Sequence, residues 1–442
     1  MKKSTRICLA VCLLFSVMPN LFAQNGASSS YSPYSVFAVG DLVREGTAYN
    51  KTMGGVGIAG RDHHYINYLN PAALAARDTL SFMLDFGVSN DNKYFSQRQV
   101  GAKNLTSVNN LFNISNFVLS FPIWKSSAMA VGVTPFSGVG YDFSYNETRP
   151  EVIGHTGNIN YQSYGEGTLT KVFLSAGATF WKCFSIGAEI DYYFGNIEKV
   201  ANTIFDNQFS RDIYGGYDMK IWGLGGKFGL QYEQRFNYGT SLTLGATYRL
   251  RTPIHGTNEE YFYAILSNVQ DSLYTKKMAT EGIALGDEIG VGISLKLNNR
   301  WMIEFDYLRG DWRSSGFSSA RGFAVNTESG QAITSTISQS FRVGVDFVPN
   351  RNDIRYYYRR MSYRAGAYYE TENFTYAGNQ ISSCGITLGV TLPVYRWNNG
   401  FTLGIDFGKR GTLKSGMIRE MFFKVHASIN IHDIWFQKPK YE

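Results

Sequence analysis

Ten residues near the C-terminus constrain this fold more than any other stretch. Phe423, Val425, Ala427, Ile429 and Ile431 are apolar and alternate with Lys424, His426, Ser428, Asn430 and His432. A period of two puts every apolar side chain on one face of a strand and every polar one on the other. The register recurs in Ile289–Leu297, Ser241–Leu250, Cys384–Val394 and Phe401–Gly408, and in Phe82, Leu84, Phe86 and Val88. In a soluble sandwich the apolar face is a core and the polar face meets water. In an outer-membrane barrel the apolar face meets lipid and the polar face lines a lumen. Alternation alone does not separate the two, but strand number, strand length and loop rhythm do.

Fourteen such segments are legible. They cover residues 80–89, 116–124, 127–147, 168–181, 183–196, 217–233, 240–252, 287–297, 301–310, 333–348, 361–371, 382–394, 400–409 and 418–436. Most have the roughly ten residues that a tilted strand needs to cross a bilayer. Lys125-Ser126, Lys182 and Asn298-Asn299-Arg300 are very short connections, whereas segments 1 to 2, 5 to 6, 7 to 8 and 9 to 10 are about twenty residues or more apart. Short periplasmic turns alternating with long outer loops give this rhythm when both termini are periplasmic. The expected fold class is all-β, a 14-stranded antiparallel transmembrane β-barrel spanning 80–436, with a short periplasmic tail at 437–442.

The N-terminus fits export. Lys2, Lys3 and Arg6 precede an apolar run from Ile7 to Val17, and Leu-Phe-Ala precedes Gln24. This pattern predicts a signal peptide over 1–23. Cys8 and Cys12 lie inside the apolar run, too early for a lipoprotein, and only Cys183 and Cys384 follow, too few for a disulfide framework. Loss of Lys2, Lys3 and Arg6 lowers the net charge from +7 to +4, so neither nucleic acid nor an acidic polymer is expected as partner. No later apolar run is long enough for a membrane helix.

A fourteen-stranded barrel is too wide for its own side chains to fill. Residues 24–79, small and loop-like, are the available filling and are expected to form a hatch in the lumen. Met53-Gly54-Gly55 followed by Asn70-Pro71-Ala72, just before the first strand, resembles the N-terminal hatch of the FadL-type outer-membrane transport proteins, TodX-like members included, with a more distant likeness to PorV. The resemblance implies a Gram-negative outer-membrane carrier of long-chain fatty acids or other hydrophobic small molecules, surrounded by lipid and lipopolysaccharide. His63-His64-Tyr65 depart from the small residues usual in that family.

In the third segment, Met129, Val131 and Val133 run into Pro135-Phe136-Ser137-Gly138-Val139-Gly140. Proline removes a ladder donor and strand glycines mark bends, so Pro135, Gly138 and Gly140 predict a break in pairing. The resemblance implies that such a kink opens the wall for lateral exit; a simple bulge that adjusts strand tilt is the bland alternative.

Other features carry less. Adjacent histidines point apart, so His63 and His64 predict no metal site, and no cofactor is expected. His426 and His432 read as polar lumen lining, with a pH-sensitive gate as the sharper alternative. Gly223–Gly229 lacks the GK[ST] ending of a phosphate loop, and no GxSxG, HExxH or paired CxxC occurs, so no enzyme is expected. The five arginines and four tyrosines of Arg351–Arg364 suit a headgroup-level girdle or a site for a periplasmic partner. Two functions follow: a hydrophobic-compound transporter, or a barrel serving a protein-secretion complex as structural or binding partner. A transporter needs an apolar, ligand-sized pocket above the hatch and an exit; a partner barrel needs neither.

Overall fold

The alternating segments close on themselves. The computed structural model describes residues 30–76, 81–99, 103–124, 126–207, 210–237, 239–266, 269–325, 333–394, 399–414 and 416–434; the expected leader (1–23) and tail (437–442) lie outside them. The wall consists of β1 (Ser81–Gln97), β2 (Leu105–Trp124), β3 (Ser127–Asn146), β4 (Ile159–Phe180), β5 (Phe184–Phe205), β6 (Asp212–Asn237) and β7 (Thr240–Arg249). It continues with β8 (Asp287–Leu297), β9 (Trp301–Asp311), β10 (Ile337–Phe347), β11 (Ser362–Tyr376), β12 (Asn379–Val394), β13 (Asn399–Arg410) and β14 (Ile418–Ile434). All fourteen pair antiparallel with their neighbours around the ring, and β14 returns to β1 from Ile418↔Gln97 to Ile434↔Ser81. Closure removes the edge that lipid would not tolerate.

Burial is inverted relative to a soluble protein. On β9, Glu304 and Asp306 are 1% and 0% exposed, while Ile303 and Phe305 beside them are 41% and 46% exposed. On β14, His426, Ser428, Asn430 and His432 are buried, and Phe423, Ile429 and Ile431 are exposed. Charged groups almost never occupy the inside of a soluble fold while large apolar ones face out. Lipid outside and a packed polar lumen inside account for both. The aligned apolar exterior therefore settles the choice that alternation left open.

The two ends differ as expected. Trp181 and Lys182 between β4 and β5, and Asn298 and Asn299 between β8 and β9, all have positive φ, as the two central residues of a type I′ turn require. At the other end the strands run well past the apolar band. β4, β5 and β6 reach 22, 22 and 26 residues. The long connection after β7 is a hairpin, Thr252–Leu266 and Val269–Leu285, whose first strand pairs back onto β6. Several of the long loops inferred from sequence are thus mostly strand. The lipid-facing pattern stops there, but backbone pairing continues in water. The free thiols Cys183 and Cys384 are half-buried.

Residues 30–76 contain only short elements: a 3-10 turn at Pro33–Val36, a two-residue strand at Asp41–Leu42, a helical turn at Ala48–Lys51, and a 3-10 turn at Pro71–Ala76. Most are buried against lumen-facing residues of strands all around the ring. With so little secondary structure of its own, this segment takes its shape from the wall.

Candidate functional site

The tripeptide Asn70-Pro71-Ala72 sits in a trough made by absent side chains. Gly177 on β4, Gly187 on β5 and Gly229 on β6 lie side by side across the sheet. A Cβ on any of the three would overlap Asn70 or Pro71. Asn70 donates through Nδ2 to the carbonyls of Ile58 (2.7 Å) and Leu230 (3.1 Å), and its Oδ1 accepts from the Ala72 N–H (3.0 Å). One side chain thus joins the turn, the segment and the wall. Met53-Gly54-Gly55 is held on the other side. Gly54 and Gly55 have positive φ. The Gly54 N–H donates to Thr387 Oγ1 (2.8 Å), which donates on to Thr52 O (3.0 Å). Met53 and Gly54 press on Gly344 and Gly366, and Thr52 on Gly389 and Gly404. A third patch, Gly245, Gly290 and Gly292, receives Ile58 and Ala59. Glycines in a strand interior mark close approach of another backbone, but which of the 46 do so depends on register across the sheet.

Charge fixes the segment as firmly. Glu45 lies between Lys171 on β4 (2.9 Å), Arg249 on β7 (2.8 Å) and Lys227 on β6 (3.6 Å). Burial pushes the Glu45 carboxyl up, but Arg249, Lys171 and Lys227 outweigh it and hold the group well below the usual carboxylate range. Arg44 turns the opposite way to Glu370 (3.1 Å) and Asp406 (3.3 Å), its guanidinium 3.6 Å from the Tyr368 ring centre. Asp41 pairs with Arg410 (2.7 Å), and Arg61 with Glu233 (3.4 Å). Asp306 accepts the N–H groups of Gly57 (2.7 Å) and Ile58 (2.9 Å). At the base, Asp62 accepts from His64 and is paired with Arg351 (3.3 Å); burial raises its carboxyl, but Arg351 and His64 bring it well below the ordinary range. None of these ion-pair partners could be assigned from sequence, because each is remote in the chain and has no local pattern.

Pro135, Gly138 and Gly140 lie on β3 beyond its last pair with β2. β2 and β3 are paired only from Phe117↔Val133 down to Trp124↔Ser127, and a bulge falls between Pro135 and Ser137. The freed edge of β3 is not empty. Asp41 and Leu42 pair with Gly138 and Ser137. Ser32 N–H donates to Gly140 O (2.7 Å), Val43 N–H to Phe136 O (2.8 Å), and Gly140 N–H to Ser35 Oγ (3.0 Å). Gly40, at φ +95, packs so closely on Gly138 that a Cβ would overlap its carbonyl. The chain's own N-terminal segment is bonded along the kink.

Above the segment lies an apolar compartment, filled from within. Phe37 and Val39 pack with Phe136, Tyr193, Ile221, Ile254 and Trp312. Phe317 and Phe323, from the stretch after β9, reach into it at 0% and 1% exposure. Ala38 N–H donates to Phe323 O (3.0 Å), closing the loop onto the segment. A cavity of about 250 Å³ remains in the lumen, reaching Ile114 and Phe136 at the separated strands. Its lining mixes charged residues, Arg44, Lys93, Glu370 and Asp406 among them, with apolar ones such as Ile58 and Leu308.

The remaining marked residues are dispersed. His64 is engaged by Asp62 and Arg351, while His63 Nδ1 meets the carbonyl of Ala76. His426 and His432 are buried on the lumen face of β14. Of Arg351–Arg364, Arg351 and Arg364 turn inward, Arg364 lying over the Tyr49 ring (4.5 Å). Arg355, Arg359 and Arg360 stay outside, stacked on Tyr356, Tyr357 and Tyr358.

The sequence model of the BamG family matches residues 1–442. The chain belongs to the BamG family. No curated protein is similar enough in sequence to match it. Among solved structures, this BamG-family barrel is similar to the toluene transporter TodX of P. putida at a TM-score of 0.61 and 13% identity, over 90% of this chain and 100% of that one. The toluene transporter TbuX of Ralstonia pickettii gives 0.57 and 15%, over 88% and 98%. A FadL homologue of Pseudomonas aeruginosa gives 0.54 and 11%, over 89% and 99%. The FadL-type likeness read from Met53–Gly55 and Asn70–Ala72 therefore holds for the architecture of nearly the whole BamG-family chain.

Proposed function

We propose that this chain is a sealed outer-membrane barrel that serves a larger protein assembly as a structural or binding partner. One observation carries the reading: the compartment where a hydrophobic ligand would sit holds the chain's own Phe37, Phe317 and Phe323. The cavity that remains mixes apolar residues with charged ones such as Arg44, Glu370 and Asp406, and desolvating those charges would oppose a hydrocarbon or an acyl chain. The barrel sits in a Gram-negative outer membrane among lipid and lipopolysaccharide, with both termini periplasmic and no catalytic role.

A second reading is favoured by the separation of β2 from β3 above Val133. In it, residues 24–79 act as a hatch for long-chain fatty acids or other hydrophobic molecules, which leave sideways at the Pro135–Gly140 kink, and the toluene transporters TodX and TbuX share the fold. Extraction in mild detergent, followed by mass spectrometry of bound lipids and bound proteins, separates the two. The partner reading expects stoichiometric protein companions and no retained hydrophobic compound. A stoichiometric hydrophobic ligand with no protein companion would replace it with the transporter.

A further inference from the structure

The wall has one open stretch. β1 and β2 stay paired up to Gln97↔Leu105, and β3 and β4 up to Asn146↔Asn160, but β2 and β3 part above Phe117↔Val133. The two edges exposed by this parting differ. That of β3 is bonded to the N-terminal segment. On β2, from Leu105 to Phe112, no strand among the described residues pairs with the side turned away from β1. Val108 is 72% and Phe112 65% exposed. Proteins usually blunt such edges with charge, proline or short length. The stretch LTSVNNLF has no charge, no proline and no glycine, the composition that pairs readily with another strand. On the outward face Asn90, Asn92 and Asn110 hydrogen-bond to one another, where the exterior changes from apolar to polar. The free edge therefore rises from the outer membrane interface into water, within reach of another protein.

We propose that Leu105–Phe112 receives an uncharged extended strand from a different protein, added antiparallel to β2 and continuing the sheet. The inference rests on the partner-barrel reading and gives it a surface. Main-chain hydrogen bonds would supply affinity, and alternate side chains selection. The outward row of Val108 and Phe112 would face alternate residues of the incoming strand, and a charge there would be desolvated against them. A second copy fits less well: two barrels inserted in the same direction carry β2 strands that run the same way and would pair only in parallel, the slightly less stable arrangement.

The test uses the detergent-purified full chain and a fluorescein-labelled peptide of about ten alternating Thr and Val residues, followed by anisotropy. Saturable binding is expected, weakened at least tenfold in the double variant Val108→Lys/Phe112→Lys. Ser107→Pro and Val108→Pro provide a second check. Adjacent strand residues present their backbone groups to opposite sides, so one proline should abolish peptide binding while heat-modified gel mobility is kept. No saturable binding to the parent chain, or equal binding to the lysine variant, overturns the proposal. So does a dimer in light scattering that the lysine variant loses, which would give the edge to a second copy. Native co-purification separates the two levels. Companion proteins retained by the lysine variant would remove the edge proposal and leave the partner-barrel reading. Peptide binding without any companion from native membranes would support the edge and remove that reading.

Discussion

Glu45 shows how one residue can hold a segment that has almost no secondary structure. Its carboxylate is the shared counter-ion of Lys171, Lys227 and Arg249, which come from three different strands. Removing one member of a buried ion cluster leaves the others charged and unpaired, at a cost of about 3–5 kcal/mol. Glu45→Gln should therefore loosen residues 30–76 without dissolving the barrel. The check is hydrogen exchange: faster exchange at Lys51–Ile58 with strand protection unchanged. The pH dependence has a definite sign. The folded carboxyl titrates well below its unfolded value of roughly 4.3, so its contribution is complete above that value and is lost only as pH falls through the lower, folded one. Exchange in the segment should be flat from neutral pH down to about 5, after correction for intrinsic rates, and rise in stronger acid. A rise already between pH 7 and 6 would point to a histidine instead.

At the scale of elements, the glycine troughs and the β3 kink are two uses of the same device, a strand thinned so that another backbone can lie against it. Gly187→Val should improve β propensity but collide with Pro71, an overpacking cost of about 1–3 kcal/mol. The expected result is a barrel that still assembles while spin labels at Ala75 and on the β5 rim move apart. Gly40→Val tests the kink. At φ +95 its added Cβ would overlap the Gly138 carbonyl, next to the pairing of Asp41 and Leu42 with Gly138 and Ser137, so the variant should expose Ser32–Val43 to protease. If protease sensitivity is unchanged, the kink is only a bulge and the bonded segment is held by its ion pairs. The fourteen strands were legible because lipid outside and polar lumen inside impose a period of two wherever the wall crosses the membrane. The pattern lapses above it, so Val269–Thr280, mostly exposed on both faces and without alternation, reads as loop although it is strand. Pro135, Gly138 and Gly140 stand out in the sequence, but the segment bonded along that stretch does not. Nothing in the sequence of Asp41-Leu42 distinguishes a strand, and its partner lies nearly a hundred residues away. Gly229 was visible only as part of GLGGKFG, a glycine-rich run without a phosphate loop's ending; its contact with Asn70 depends on the alignment of β4, β5 and β6.

For the whole molecule, the inward and outward faces make opposite demands that the N-terminal segment reconciles. The exterior needs apolar residues for lipid, so the polar alternate positions all face a lumen too wide for them to fill. Without an occupant, that lumen would be a charged aqueous channel. With it, Arg44, Glu45, Arg61 and Asp62 each meet a counter-charge on a different part of the wall. A closed barrel that keeps its hydrogen-bond ladder in detergent should migrate faster on a gel before boiling than after, and this should hold with or without the segment. A tag at Gly378, in the exposed hairpin after β11, should be reachable on intact cells, and one at Asn299, between β8 and β9, should not. Deleting residues 24–76 should leave assembly intact and convert the sealed barrel into a non-selective pore. The measurement is liposome swelling with small sugars, where the parent chain should be nearly silent and the deletion variant should conduct at a rate set by solute size. The charged lining would favour polar solutes over toluene-like ones, opposite to the preference of a hydrophobic-compound channel. Equal swelling by the two proteins would mean that the segment does not obstruct the lumen, and the sealed-barrel reading would fall with it.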